Sequence, residues 1–472
     1  MQSAASDSRA SRSDSSRSVG IFDVGIHERL PFAEMLLLGL QNVFGMTGMF
    51  VFPALIGLAF NLVPAQIAYV YGMTFIACGV ATILQSFVLL RLPIVQGPYA
   101  GSFGAILAIG HVAGAGLGAA YGSFFVAAML WCLISIPIRS HSIIGLLARY
   151  LSFPLISGMT VMLIIIQIAS VSLPNWIGLA TSPGFPVINI ASGVVAVAAI
   201  IAVMRWGSRL LRRCAILIGL ALGTCCFLLF RPISFAAVAA APMLVEPRLF
   251  PFGFMVRADL VLMFLLVLLP AAMGSMALYQ TVADWGGEKL SPVRMAEGVF
   301  GSALGAVVAA LFGGFSTIAY PDNIGMLRAT RVGSRYATLA AGVLLILLGA
   351  CVKFDMMLVL VPSSVISAAA TLLFGIVFMH GVGMLASVKW DDRSLISAGL
   401  GFLVGLGGLF VSPDTLKAIP LLARLVLQQP VISGGITLLV LYALLRGKSE
   451  STEATAFDHE RSQKKEGAVT SA

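Results

Sequence analysis

Asp322 and Asn323 stand side by side in the stretch Ser316–Arg331, S-T-I-A-Y-P-D-N-I-G-M-L-R-A-T-R, with apolar runs on both sides. An acid can bind and release a proton, and a carboxamide can donate and accept hydrogen bonds to the same small solute. Neither group is cheap at that depth. A carboxylate in the middle of an apolar helix costs roughly 2.5–3.5 kcal/mol on insertion scales. Burial favours the neutral form of Asp322, whereas the free N–H groups of a helix start favour the charged form. That tension suits a group that gains and loses a proton, so Asp322 is the candidate proton-coupling residue and a candidate solute ligand. The plainer reading of Asp322 is a helix cap satisfied by backbone donors. Asn323 has two equal readings, a solute contact or a tie between the two half-helices.

The elements that must position this pair follow from its neighbours. Pro321 lacks an N–H donor and clashes with a preceding helical turn, so a continuous helix cannot run through it. The sequence predicts an extended piece over Thr317 to Tyr320 and a half-helix starting near Pro321, which suits a first-turn position. A second anomaly has the same form. Pro93 to Phe103, P-I-V-Q-G-P-Y-A-G-S-F, reads as an extended apolar piece, a break at Gly97-Pro98, and a short helix to about Gly110. Irregular backbone at membrane depth survives only against protein or a water-filled cavity. One such break in each half of a chain is the pattern of an inverted repeat with its binding site at the repeat interface.

The composition supports that depth. Of 472 residues 59% are hydrophobic and 10% charged, and the mean hydropathy is +1.00. This excludes an ordinary soluble domain and marks an all-α polytopic membrane protein. At about 20 apolar residues per crossing, about fourteen segments are found. The net charge of +9 does not indicate nucleic acid, because the basic residues lie in short loops between spans. Arg91, Arg139, Arg149, Arg205, Arg209, Arg212, Arg213, Lys289, Arg294, Arg328, Arg331, Arg335, Lys389 and Arg393 fall on one side, against chiefly Arg231, Arg248, Arg257, Lys353 and Lys417 on the other. The positive-inside rule makes the first side cytoplasmic, and an even number of spans puts both termini there. The six cysteines have no metal-ligand spacing and read as small packing residues. No nucleophile–base constellation appears, so the sequence reads as a non-enzyme without cofactor or metal.

With both breaks placed, the chain resembles the nucleobase–ascorbate transporter family, also called nucleobase:cation symporter class two and including xanthine/uracil permeases. Asn323-Ile324-Gly325 followed by Thr330-Arg331 is similar to its signature, N-x-G-x-x-x-x-T-[RK]. Gln41-Asn42 resembles its first-span Gln-His pair, with Asn for His. Met295-Ala296-Glu297-Gly298 resembles its A-[DE]-G, and Val361-Pro362, Val365 and Gly375 resemble a later I-P-x-x-V…G stretch. The resemblance covers about residues 32–446. It implies fourteen spans in a seven-plus-seven inverted repeat, the third and tenth being half-helices preceded by short strands. It further implies a core and a gate domain, alternating access and a homodimer. The departures lie at the pocket. Ala271 stands where the family's eighth-span carboxylate is, Ser275 where it has His or Asp, and Gly97-Pro98-Tyr99-Ala100 where it has G-[ST]-S-F.

The expected layout is a disordered cytoplasmic tail over 1–31, core over 32–138, gate over 139–230 and an external loop over 231–258. Core follows over 259–354, gate over 355–446 and a cytoplasmic tail over 447–472. The expected substrate-binding residues are Tyr99, Ala100, Ala271, Ser275, Pro321, Asp322 and Asn323. By resemblance, Ala100 offers a backbone N–H and Pro321 a carbonyl. Tyr99 stacks on a planar ring, bonds Asp322, or simply packs. Gln41 and Asn42 support the pocket. The expected function is secondary active transport in the cell (inner) membrane, by proton-coupled symport of a planar nucleobase-like solute, with Na+ as the alternative coupling ion. A competing expectation is an anion or organic-acid transporter of the related sulfate-permease-like fold, and a third is a non-transporting membrane receptor.

Overall fold

Two three-residue strands, β1 (Gln96–Pro98) and β2 (Thr317–Ala319), pair antiparallel, and most of the other described residues are helical. The computed structural model describes residues 21–110, 116–137, 154–178, 184–208, 211–212, 214–232, 234–386 and 388–445. The tails over 1–20 and 446–472 and the first-gate residues 139–153 therefore lie outside the described residues.

The helices of eight or more residues, in chain order, are α1 (Phe32–Gly45), α2 (Phe52–Ala59), α3 (Pro64–Ile83), α4 (Ala100–Gly110), α5 (Leu117–Ser135), α6 (Pro154–Ile177), α7 (Val187–Trp206) and α8 (Ala215–Leu228). After the mid-chain loop come α9 (Ala258–Trp285), α10 (Pro292–Phe312), α11 (Pro321–Thr330), α12 (Arg335–Ala350), α13 (Val352–Val359), α14 (Ser363–Leu385), α15 (Asp392–Gly408) and α16 (Pro430–Leu444). Among the described residues six helical stretches are long and apolar enough to cross a membrane: Pro64–Val88, α5, α7, α9, α10 and α14.

Proline and glycine set the breaks. The first helical run stops at Gly45, passes a 3-10 turn over Thr47–Phe50 and restarts with Pro53 in the first turn of α2. Pro362 separates α13 from α14, since proline disfavours helix in the residue before it. Where the chain closes up, glycines face backbone. A methyl group at Gly79 of α3 would lie 2.6 Å from the Gly342 carbonyl oxygen of α12. Small residues of this kind allow helices to approach closely in lipid.

Compactness divides the chain into two units, Met1–Ser152 with Ile168–Ile376, and Phe153–Gln167 with Val377–Ala472. The strands and every residue of the candidate site belong to the first. In the second, α15 packs on α16 through Gly401, whose added methyl would lie 2.9 Å from the Gly434 carbonyl oxygen.

Residues 21–30, expected within a disordered tail, are instead held. The Asp23 and Val24 N–H groups donate to the Arg331 carbonyl (2.8 and 3.4 Å), Gly333 N–H donates to Val24, and Arg335 N–H donates to Ile26. The reason is local. Arg331 turns into the left-handed region, φ 55°, at the end of α11, which leaves extended backbone beside it for the strap to pair with.

Candidate functional site

The two breaks meet through their strands. Gln96 faces Ala319, Gly97 faces Ile318 and Pro98 faces Thr317. The ladder continues one bond at each end, Tyr99 N–H to the Ser316 carbonyl at 2.7 Å and Tyr320 N–H to the Val95 carbonyl at 3.0 Å. Antiparallel pairing puts the start of α4 at one end of this ribbon and the start of α11 at the other. The two half-helices therefore start at opposite ends of the ribbon. Gly97 is required here. A Cβ at that position would collide with the edge of the Tyr320 ring.

Side chains from three helices brace the ribbon. From α3, the Thr82 hydroxyl accepts the Gln96 N–H at 2.9 Å. From α9, the Ser275 hydroxyl accepts the Ala319 N–H at 3.2 Å. From α10, the Ser302 carbonyl accepts the Thr317 hydroxyl at 3.1 Å, and the Ser302 hydroxyl donates to Gln96 Oε1 at 3.1 Å. Gln85 Nε2 joins the same group, donating to Ser302 at 2.8 Å and to the Tyr279 hydroxyl at 2.9 Å. Gln85 lies in the π-type turn Leu84–Val88 that ends the α3 span, a distortion frequently found at functional sites.

Four buried polar atoms here have no hydrogen-bond partner among the described residues: Gln85 Oε1, Gln96 Nε2, Tyr99 OH and Ser316 Oγ. Each such atom costs about 1–3 kcal/mol. Against β2 lies a small cavity lined by Trp131, Ala271, Ser275, Ser302, Ser316 and Thr317 among others, with room for about one water. A planar ring would need the walls to move apart.

The expected residues divide as follows. Ala271 and Ser275 lie one turn apart on α9, are buried, and line that cavity. Tyr99 is the last extended residue before α4. It is buried with its ring against Gly101, so it packs while leaving its hydroxyl unused. Ala100 is the first residue of α4 and Pro321 the first of α11, as expected. Asp322 is the second residue of α11; its side chain lies outside the described residues. Asn323 is fully buried and acts as a tie: Oδ1 accepts the Val95 N–H at 3.1 Å and Nδ2 donates to Asn42 Oδ1 at 2.8 Å. Asn42 of α1 thereby supports the ribbon. Gln41 does not reach the cavity at β2. It lines a separate cleft with Met326, Thr330 and Thr338.

Sequence reading missed Gln85, Tyr279 and Ser302, and gave Gln96 no role. The signal was present for Gln85, a carboxamide inside the apolar run A-T-I-L-Q-S-F-V-L-L, because polar groups within spans are costly and tend to be functional. Tyr279 and Ser302 carry no such signal.

A family model described as "Permease family", for xanthine/uracil permeases, matches residues 33–413. The chain is 27% identical to the uric acid permease PucK of Bacillus subtilis over 429 residues, covering 89% of this chain and 97% of that one. It is 26% identical to the xanthine permease XanQ of Escherichia coli K12 over 454 residues, covering 89% and 93%. Among solved structures it resembles the transmembrane domain of a cyanobacterial bicarbonate transporter, BicA, with a TM-score of 0.51 at 14% identity, covering 90% of this chain and 100% of that one. It also resembles the murine anion transporter Slc26a9, with a TM-score of 0.56 at 13% identity, covering 88% and 69%. At such identities these two likenesses are of fold alone. With the match running through the ribbon and both half-helices, the chain belongs to the xanthine/uracil permease family and is an integral membrane permease, not an enzyme.

Proposed function

We propose that this permease carries a planar, nucleobase-like solute, a purine such as xanthine or uric acid or a pyrimidine, by proton-coupled symport with alternating access. The observation that carries the reading is the set of four unpartnered polar atoms, Gln85 Oε1, Gln96 Nε2, Tyr99 OH and Ser316 Oγ, on or beside one ribbon. Donors and acceptors fixed by a two-stranded ribbon suit a flat solute with hydrogen-bonding edges, and filling them recovers the cost of leaving them open. The sequence relatives are named for uric acid and xanthine. The anion-transporter reading, motivated by Ala271 in place of the family's eighth-span carboxylate, has only fold likeness among the comparisons and is not favoured.

In this proposal Asp322 is the coupling acid, placed by its backbone in the first turn of α11, where the helix end stabilises negative charge. Tyr99, Ala100, Ala271, Ser275 and Pro321 face the solute. Asn323, with Asn42, holds the ribbon. The two breaks are the third and tenth of fourteen spans in a seven-plus-seven inverted repeat. Core segments 32–138 and 259–354 move against gate segments 139–230 and 355–446. The protein sits as a homodimer in the inner membrane with both termini cytoplasmic. The cavity at β2, with room for about one water, has to widen before a planar solute can enter.

Uptake of labelled xanthine, uric acid and uracil into cells lacking their own carriers tests this. Expression of the chain raises accumulation of at least one base, accumulation collapses with a protonophore, and Asp322→Asn removes the dependence on external pH. Undiminished pH-dependent uptake by Asp322→Asn would remove that residue from coupling, and no uptake of any base would remove the solute class.

A further inference from the structure

Asp355 is a buried acid that none of the foregoing uses. It lies on α13, the short helix between α12 and α14, and is 1% exposed. Both carboxyl oxygens lack a hydrogen-bond partner among the described residues. The carboxyl is wedged over bare backbone. A Cβ on Gly72 of α3 would lie 2.7 Å from Asp355 Oδ2 and 2.6 Å from the Gly349 carbonyl oxygen of α12. The titratable groups around it are few. Tyr71 faces it from α3, its hydroxyl donating to the Phe50 carbonyl at 2.7 Å. Cys351 faces it from the turn before α13. Lys353 is two residues away on its own helix. From α12 the Gly349 carbonyl lies over the same glycine, and from the mid-chain loop Met243 and Val245 supply backbone hydrogen bonds to Val352 and Ala350. Among the described residues Asp355 forms no ion pair.

An ionised carboxylate in that place would have neither water, donor nor counter-charge, and a buried charge without these is far costlier than a neutral acid. We propose that Asp355 is a proton-binding site, a carboxylic acid kept neutral while α13 lies against α3 and able to ionise only when that contact opens to water. Opening transfers one proton from the carboxyl oxygen to water and leaves the carboxylate; closing takes one back. Burial pushes this carboxyl up to about 9, with Cys351 adding to the rise. The same α3 carries Thr82, which holds the Gln96 N–H, so one helix touches both the acid and the ribbon. The site does not depend on which solute is carried.

Infrared spectroscopy of purified protein in lipid nanodiscs, with isotope-labelled aspartate, tests it without a variant. A protonated-carboxyl band is present at neutral pH and disappears as pH passes about 9. Asp355→Asn, an isostere of the neutral acid, lacks the band. Apparent Tm gives a second reading. A folded-state value raised above the unfolded one means stability present at low pH and lost as pH rises. Asp355→Asn therefore matches the wild type near about pH 4 and exceeds it by a margin that widens toward about pH 9. Absence of the band in the wild type would overturn the proposal. So would an Asp355→Asn variant less stable at every pH, or a sodium-dependent stabilisation of the wild type lost in Asp355→Asn, which would mark a metal cation in the proton's place. All readings are taken without solute, so their failure leaves the transport proposal standing, and a failure of uptake leaves this one standing.

Discussion

The two half-helices look alike in backbone and differ in what holds them. Each follows a three-residue strand, and each has a tyrosine at the junction, Tyr99 or Tyr320. In α4, A-G-S-F-G-A-I-L-A-I-G, the anchoring groups are apolar. Phe103, Ile106 and Ile109 have no exposed surface, and Phe103 lies 5.3 Å from Phe52 and 6.0 Å from Phe315, centroid to centroid. In α11, P-D-N-I-G-M-L-R-A-T, the anchors are hydrogen bonds. Asn323 ties its first turn to Val95 and Asn42, and the Arg331 carbonyl at its far end takes the Asp23 and Val24 N–H groups. One interrupted span is therefore packed in place and the other is tethered. Packing resists loss of volume and ignores small polar changes. A tether fails when one partner goes, and it can be exchanged for other partners during a cycle. The coupling acid proposed above belongs to the tethered element.

The largest effect should come from volume in the packed half. Phe103→Ala removes a ring from a close-packed aromatic cluster and should cost about 3–5 kcal/mol, seen as a fall in apparent Tm of the purified protein. Phe103→Leu should cost less than about 1.5 kcal/mol. The contrast breaks if Phe103→Ala is no worse than Leu130→Ala, a truncation at an exposed position of α5.

On the tethered half, Asn323→Leu keeps the number and branching of side-chain heavy atoms and removes both bonds. It orphans the Val95 N–H and the Asn42 side chain, at about 1–3 kcal/mol each. Asn42→Leu alone leaves Asn323 with one partner. Because the two residues share a bond, the double variant should cost less than the sum of the singles, by about 0.5–3 kcal/mol. Strict additivity would mean the side chains act independently and would dissolve the idea of a tether.

What was legible in the sequence follows the same division. Both breaks, both strands and the start of α11 at Pro321 could be read locally, because proline and glycine act within one or two turns. The Asn323–Asn42 pair was visible only as two polar residues, since a contact across 281 positions leaves no local trace. Gln85 was readable as a polar residue in an apolar run and was passed over. Tyr279 and Ser302 look like ordinary helix residues until α9 and α10 bring them together with Gln85. The strap over 21–30 was mistaken for tail because its bonds are made by backbone, which composition does not register.

The smallest expected effect is also the sharpest test, because Ser275 lies between the two kinds of role. Its hydroxyl braces β2 through the Ala319 N–H, and it also lines the cavity. If the brace were its whole function, Ser275→Ala would orphan a buried N–H. The cavity beside it has room for about one water, and a bridging water is nearly as good as a direct bond. Ser275→Ala should therefore lower stability by only about 1 kcal/mol. The solute, however, must displace that water or bind beside it. If Ser275 faces the solute, the same change should raise the KM for uptake by about tenfold, the equivalent of about 1.4 kcal/mol, with little change in maximal rate. Ser275→Val fills the space that water would take and should lower Tm further. A Tm loss in Ser275→Ala as large as in Asn323→Leu, with KM unchanged, would reassign Ser275 from the solute site to the tether. The second strand would then be held by hydrogen bonds alone, and the solute site would have to be sought on the β1 side, around Gln96 and Tyr99.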